Sequence, residues 1–447
     1  MIKVAVIGGG TAGYIAAAHI TKHFPQFDLY HIYDSSLPPI GVGEGTTLDF
    51  PEWLAEITAL TETELQERCH ITRKLGIKFE NWGVKYPEFM QHFQPRGVYA
   101  YHISADKIVE LLRDYVSATH IDKKVIGLRS DGVIVDISFS DNTYLQSDIV
   151  IDATGFPKSL NEEHIKLDLI PTNAALIRQG PAASEGCVEV ELEGQIWKYN
   201  SATRTIARSH GWIFVIPLTS RTSYGYVYNH HINSIDEIRA DFDDFLAEEA
   251  IEVNKQENHL KFPNFAQRTY FDGALFKIGN AASFLEPLEA SAIGLTLNQI
   301  RSFSHWPLKT LEQNGKRIKL EDSHIELFNQ YLQSSFNSNL LFVAWHYSMG
   351  SCFETKFWRF ATANFKQQLG NLASQKFLVE FKEYIETLAS QPNPFTALAK
   401  TSARVEEFPS ISVLEIESSS SESDSGNIDG LQSSLFSELM YGIGYFS

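Results

Sequence analysis

Apolar and polar residues fall into recognisable periods along the chain. Residues 2–7 (Ile-Lys-Val-Ala-Val-Ile) form a nearly unbroken apolar run that predicts a buried strand. Gly8-Gly9-Gly10-Thr11-Ala12-Gly13 follows, then a helical run from Tyr14 to His23 and a second strand from Phe27 to Tyr33, ending at Asp34. Strand, turn, helix, strand predicts the start of a parallel α/β sheet. Residues 104–119 predict an amphipathic helix. Val125 to Phe139 and Asn142 to Gln146 alternate as antiparallel strands, and Asp148 to Asp152 predicts an apolar strand running into Ala153-Thr154-Gly155. Residues 187–228 predict sheet, 234–250 a helix, Leu275 to Gly279 a short strand, and 280–384 mostly helix. From about residue 402 the pattern gives way to a Ser-rich acidic stretch that includes Ser418 to Ser421. It predicts a mobile tail, whose apolar, aromatic end, Leu435 to Phe446, can dock back on the body.

Composition narrows the function classes. The 447 residues include 43% apolar and 21% charged side chains, as in globular chains. Lys and Arg number 37 against 55 Asp and Glu, so the net charge is 37 − 55 = −18. That charge argues against a general nucleic-acid binder, which needs clustered cations. No run reaches the length of a membrane-spanning helix, and the N-terminus has no signal-cleavage pattern, so a cytoplasmic protein is expected. Cys69, Cys187 and Cys352 are too far apart to suggest a disulfide framework or a zinc site, and no metal is expected.

The glycine loop carries the first candidate chemistry. Gly8-x-Gly10-x-x-Gly13 leaves a strand and opens a helix. Gly8 permits the tight turn, Gly10 lets the backbone approach a pyrophosphate, and Gly13 lets the helix pack on the strand. The helix start, with Thr11 and Ala12, then faces the phosphates with its partial positive charge. Asp34 is placed to accept hydrogen bonds from a ribose. Two later strand ends, Asp152 to Gly155 and Leu275 to Asn280 with Gly279, favour FAD over a nicotinamide cofactor, whose site is usually complete within the first ~150–200 residues.

Further segments make the chain similar to the flavin-dependent halogenases of the tryptophan-halogenase type. Gly41-Val42-Gly43-Glu44-Gly45-Thr46 resembles that family's GVGEAT segment. Arg73-Lys74-Leu75-Gly76-Ile77-Lys78-Phe79-Glu80-Asn81-Trp82 resembles the stretch with its essential lysine. Gly211-Trp212-Ile213-Phe214-Val215-Ile216-Pro217 resembles WxWxIP, with Phe214 for the second Trp. Phe284-Leu285-Glu286-Pro287-Leu288-Glu289-Ala290-Ser291 resembles FLEPLE[SA]T, and Phe342 to Tyr347 followed by Phe357-Trp358 resembles FV-x-x-HY…FW. Ser291 and Ala292 replace the usual Thr and Gly. The connection from Trp82 to His102 is far shorter than the insertion that tryptophan halogenases carry there. Free tryptophan is therefore expected to be a poor substrate.

The resemblance implies an α/β fold: a Rossmann-like FAD-binding domain of the single-component flavin monooxygenase type, with a mixed sheet and a mostly helical C-terminal part. The expected division is a core at 1–300, with a substrate-facing sheet at about 82–102 and 160–275. A helical region at 301–400 and the tail at 401–447 follow. It implies reduced FAD from a transient flavin reductase, a halide ion, and an indole- or phenol-like small molecule; the oligomeric state is open, a homodimer included. In the family, a flavin C4a-hydroperoxide and halide give hypohalous acid, which halogenates the arene. Lys74 is the implied holder of that oxidant, with Lys78 as its rival four residues on; on one strand the two would share a face. Glu289 is the implied proton acceptor, and Glu286 shares its segment. Gly43, Glu44, Gly279, Pro287 and Ala292 are implied flavin contacts. The backbone at Ser291 and Ala292 is the implied halide site. Trp212, Phe214 and Pro217, with Ile216, are the implied wall between flavin and substrate. His102 and His346 are expected to be structural. An FAD-dependent aromatic hydroxylase of the same fold, and a flavin-binding protein without catalysis, remain the alternatives. The hydroxylase would bind NAD(P)H and have no use for a Lys74–Glu289 pair.

Overall fold

The computed structural model describes residues 2–37, 43–83, 88–93, 98–182, 188–192, 195–199, 202–348 and 350–372. The strand–turn–helix–strand opening is present as Lys3–Ile7, Thr11–His23 and Asp28–Tyr33. These strands belong to a five-stranded parallel sheet ordered Leu275–Lys277, Ile149–Asp152, Lys3–Ile7, Asp28–Tyr33, Thr119–Asp122. Both faces of its central strands Lys3–Ile7 and Ile149–Asp152 are covered, which is why these two read as nearly unbroken apolar runs. Val4 and Val6 pack under the helices Thr11–His23 and Ser291–Phe303. Ala5 and Ile7 face a three-stranded antiparallel sheet, Val125–Ser130, Val135–Phe139 and Tyr144–Ser147.

Two element boundaries differ from expectation. The helix expected over 104–119 is Ala105–Arg113, and Thr119–Asp122 instead pairs with the edge of the parallel sheet. Its buried face, Ile108 to Leu112, is complete within that length, and the β-favouring Thr119 and Ile121 then take ladder bonds. The strand expected over Val125 to Phe139 is broken by a turn, where Asp131 Oδ1 accepts the N–H groups of Val133 and Ile134.

The second half of the molecule is a seven-stranded sheet ordered Glu257–Lys261, Ala174–Pro181, Arg221–Tyr228, Gly211–Pro217, Ala202–Arg208, Gly76–Glu80, Glu88–His92. Every pair in it is antiparallel except Ala202–Arg208 with Gly76–Glu80. One face carries Ile77, Phe79, Trp212, Phe214 and Ile216 against the helices Asp322–Ser348 and Lys356–Leu372. A small sheet of Gly43–Gly45, Ala100–Ser104 and Thr72–Lys74 lies beside it in sequence. The helical content expected from residue 280 is present as far as Leu372. The acidic tail and its apolar end fall outside the described residues, as do Gly41 and Val42. Among the described residues no helix is long and apolar enough to cross a membrane, and no side-chain group suits a metal ion.

Candidate active site

The dinucleotide side is built as the glycine pattern predicts. Gly8 sits at φ +143°, and a Cβ there would lie 2.3 Å from the Ala153 carbonyl oxygen, so only glycine passes beneath that strand end. Gly10 precedes the helix Thr11–His23 and has nothing within 4 Å of where its Cβ would be. No side chain caps this helix and its first turn holds no acid. The N–H groups at Thr11 and Ala12 thus stand at an uncapped helix start beside open space, a cradle that fits a pyrophosphate. Gly13 packs on Gly8, and Gly279 packs against Ala12, bringing the later strand end to the loop. Asp34 stays near the surface, its Oδ1 accepting from the Ser36 N–H at 3.1 Å and hydroxyl at 2.5 Å. Gly43 and Glu44 pair with Ser104 and Ile103. Among the described residues Glu44 has no ion pair, and burial pushes its carboxyl up to about 7.

Lys74 and Lys78 do not share a face. The chain leaves the small sheet after Lys74 and enters the large sheet at Gly76, so the strand parity is interrupted between them. Lys78 reaches the surface, 3.1 Å from Glu88. Lys74 is 1% exposed. Its ammonium lies 5.4 Å from the centre of the Phe93 ring, a cation–π contact. Burial pulls its value down to about 8, and the Glu289 carboxylate offsets part of that shift. No ion pair joins Lys74 to Glu289 among the described residues; the two charges interact without touching.

Glu289 is held from behind. Its Oε1 lies 2.9 Å from His346 Nε2, and His346 is fully buried between the Phe79 and Trp82 rings. Glu289 and Ala290 both adopt left-handed backbone, at φ 69° and 53°. Such conformations cost about 1–2 kcal/mol per non-glycine residue and persist where the surroundings impose them. The next residue, Ser291, begins the helix Ser291–Phe303, and neither it nor Ala292 has a capping side chain ahead of it. Their N–H groups therefore suit an anion.

Glu286 is not a helix cap. It is 1% exposed and accepts hydrogen bonds from the hydroxyls of Thr172 and Tyr347, the latter at 2.6 and 2.7 Å. Tyr347 accepts in turn from Trp212 Nε1–H at 2.8 Å. Burial raises the Glu286 carboxyl to about 7, while these bonds pull the other way. The cluster ties the Leu285–Leu288 turn to the helix that carries His346. Trp212 and Phe214 point into the same apolar cluster as Phe79 and Trp82. Pro217 ends their strand, its carbonyl accepting from the Thr72 hydroxyl at 2.7 Å. Because that hydroxyl is spent on Pro217, His102 Nδ1–H donates to Thr72 and Nε2 accepts from Thr203. Burial holds His102 neutral, down to about 3, consistent with a structural role. Pro287 is exposed.

The family model described as tryptophan halogenase matches residues 3–99 and 94–375. The chain belongs to the tryptophan halogenase family. It is a flavin-dependent halogenase, of the kind served by a separate flavin reductase and acting on aromatic compounds. Tryptophan 6-halogenase ThaL of Streptomyces albogriseolus is 22% identical over 429 residues, covering 80% of this chain and 78% of that protein. Solved structures agree on the fold. Tryptophan 6-halogenase SttH from Streptomyces toxytricini matches with a TM-score of 0.70 and 22% identity, covering 84% of this chain and 85% of that one. The VirX1 apo structure matches with a TM-score of 0.74 and 20% identity over 100% of this chain and 97% of that one.

One site residue of this halogenase escapes the sequence reading. Gly45 stands where the family segment carries Ala. A Cβ there would lie 2.8 Å from Ala290 Cβ and 3.2 Å from Lys74 Nζ. Gly45 thus lets the left-handed Ala290 and the lysine tip lie side by side. With Lys74 in the role proposed below, Gly45→Ala should lower halogenation turnover about 10- to 100-fold, the cost of displacing such a group by about 1 Å. FAD affinity should hold. Ala290→Gly in the same chain removes the methyl in the closest contact and should recover much of the rate; steady-state turnover of the three variants checks both statements.

Proposed function

We propose that this halogenase places a halogen on an electron-rich, indole- or phenol-like arene, with Lys74 as donor to hypohalous acid and Glu289 as acceptor of the ring proton. When bound, reduced FAD supplies that oxidant together with O₂ and halide. The observation that carries the reading is the pair itself: a buried ammonium that feels the charge of Glu289, and a Glu289 carboxylate clamped by His346. Gly8, Gly10, Thr11, Ala12, Gly13 and Asp34 would hold the dinucleotide, with Gly43, Glu44, Gly279, Pro287 and Ala292 near the ring system. The helix start at Ser291 and Ala292 would hold the halide. Trp212, Phe214 and Pro217 would form the barrier that keeps arene and flavin apart.

In the reaction, the arene attacks the halogen and the O–X bond breaks. The departing oxygen leaves as hydroxide, which Lys74 protonates to water. The ring proton then passes to Glu289, and the C–H electron pair returns to the ring. The sum is arene plus hypohalous acid giving haloarene and water. Lys74 can donate only while it is an ammonium, so turnover should fall as pH rises through about 8.

The substrate class rests on what the chain offers. Between Trp82 and His102 the described elements are the strand Glu88–His92 and the start of Ala100–Ser104. A zwitterionic amino acid needs partners for both charges or is penalised on desolvation. A mass-spectrometric comparison of free tryptophan, indoles and phenols, with FAD, reductase, NADH and each of chloride, bromide and iodide, tests the proposal. Indoles or phenols should outpace free tryptophan. Hydroxylated product with NADH alone, and no haloarene, would replace this reading with the aromatic hydroxylase.

A further inference from the structure

His346 sits where only one arrangement of hydrogens is consistent with its contacts. Nδ1 lies 2.8 Å from the Phe342 carbonyl oxygen. A carbonyl only accepts, so Nδ1 carries a hydrogen. Nε2 lies 2.9 Å from Glu289 Oε1. If the ring were neutral and the carboxylate ionised, two lone pairs would meet there. A hydrogen bond at that distance requires one proton between Nε2 and Oε1, whichever atom holds it at a given moment. Both groups are withdrawn from water, with the ring fully buried and the carboxylate side chain 9% exposed, so an unmade bond would be costly. Phe79 stacks on the imidazole at 5.2 Å and Trp82 and Phe342 meet it edge-on, fixing its plane. Glu289 Oε2 has no hydrogen bond among the described residues and is the oxygen left for chemistry.

We infer that His346 is the positioning residue of the base: it orients Glu289 and shares one proton with it, so that the two act as a single proton-holding unit. This rests on the proposed role of Glu289. When the ring proton reaches Oε2, the shared proton moves onto Nε2, and the carboxyl stays bonded to the imidazole throughout. No proton is created or lost; the unit goes from one to two, and the second is later returned to solvent.

The charge count predicts a measurable difference from a lone carboxylate. The unit with one proton is neutral, so a second proton from solvent makes it a cation beside Lys74. A lone Glu289 would instead go from anion to neutral, which is easier in the same place. The unit therefore keeps its basic oxygen to lower pH. Among the described residues, the titratable groups on the elements near it include Lys74 on Thr72–Lys74, His102 on Ala100–Ser104, Glu44 on Gly43–Gly45, and Glu286, bonded to the neighbouring Tyr347. All four are present in wild type and variant alike, so the difference between their profiles isolates the pair.

The test is the pH dependence of kcat in the reductase-coupled assay for wild type, His346→Gln, His346→Phe and Glu289→Gln. The glutamine amide introduced by His346→Gln can donate to Oε1 but cannot take up a proton. This variant should lose less of the plateau rate than His346→Phe, because the amide still orients Oε1, while its acid limb moves to higher pH. His346→Phe keeps the aromatic packing without the clamp and should lose about 100-fold in kcat, with KM and flavin oxidation little changed. An acid limb in His346→Gln that coincides with wild type overturns the inference, and so does full activity in His346→Phe. Should His346→Phe fail to fold, the His346→Gln profile decides alone. Full activity in Glu289→Gln would instead sink the base assignment itself, which separates the two failures.

Discussion

Lys74→Met should give a folded flavoprotein that consumes reduced flavin and O₂ yet releases no haloarene. Methionine fills nearly the same volume, so the loss cannot be blamed on a cavity, as it could for Lys74→Ala. What disappears is the buried ammonium proposed as the donor. The same change should make the protein more stable. Lys74 is pulled from its usual value of 10.5 down to about 8. Burial therefore disfavours its charged form, and the unfolded chain binds that proton more tightly than the folded one. The penalty is complete below pH 8, shrinks as pH rises toward 10.5, and vanishes above it. At 1.36 kcal/mol per unit, it is about 3 kcal/mol at neutral pH. Thermal melts at pH 7 and pH 10 would check this: Lys74→Met should be the more stable at pH 7, and the gap should narrow at pH 10. Haloarene formation by Lys74→Met would remove the lysine from the mechanism.

Glu289→Gln should reduce kcat by about 100- to 10,000-fold, the usual contribution of a positioned base. The amide keeps the shape of the carboxyl and can donate to His346 Nε2, so the turn at residues 285–290 should survive. KM should change little, since the charge matters only once the ring proton becomes acidic. Single-turnover measurements that separate flavin oxidation from arene halogenation place the loss at the second step. An unchanged kcat would leave Glu289 as the first left-handed residue of a tight turn and nothing more.

The features that sequence made legible were those written in contiguous residues. The glycine loop, the strand ends at Asp152 and Lys277, and the helix start at Ser291 all emerge from short segments whose conformation is set locally. Contacts between distant segments stayed hidden. His346 meets Glu289 across 57 residues, and Glu286 meets Thr172 across 114. The helical period of Asp322–Ser348 gives the apolar face but not which turn lies over the carboxylate. Spacing alone placed Lys74 and Lys78 on one face because the change of sheet at Leu75 leaves no mark in the pattern. Gly45 carried no signal either, since a glycine that makes room for another segment looks like one that only bends the chain.

The single parallel seam in the large sheet has a consequence for how this protein comes into being. The strand that follows Lys74 is bordered by Ala202–Arg208, more than 120 residues further along. A ribosome adding ~5–20 residues per second needs roughly ten seconds to deliver that neighbour. During that time Gly76–Glu80 has a partner on only one edge, in Glu88–His92, and its Ile77 and Phe79 lack their cover. The glycine cradle reaches its first two strands within the opening 33 residues, whereas Lys74 gains its charge neighbour Glu289 only after the chain has passed its midpoint. Birth order thus runs from the nucleotide side toward the oxidant side. Until Ala202–Arg208 arrives, the nascent chain leaves one edge of Gly76–Glu80 without its ladder partner.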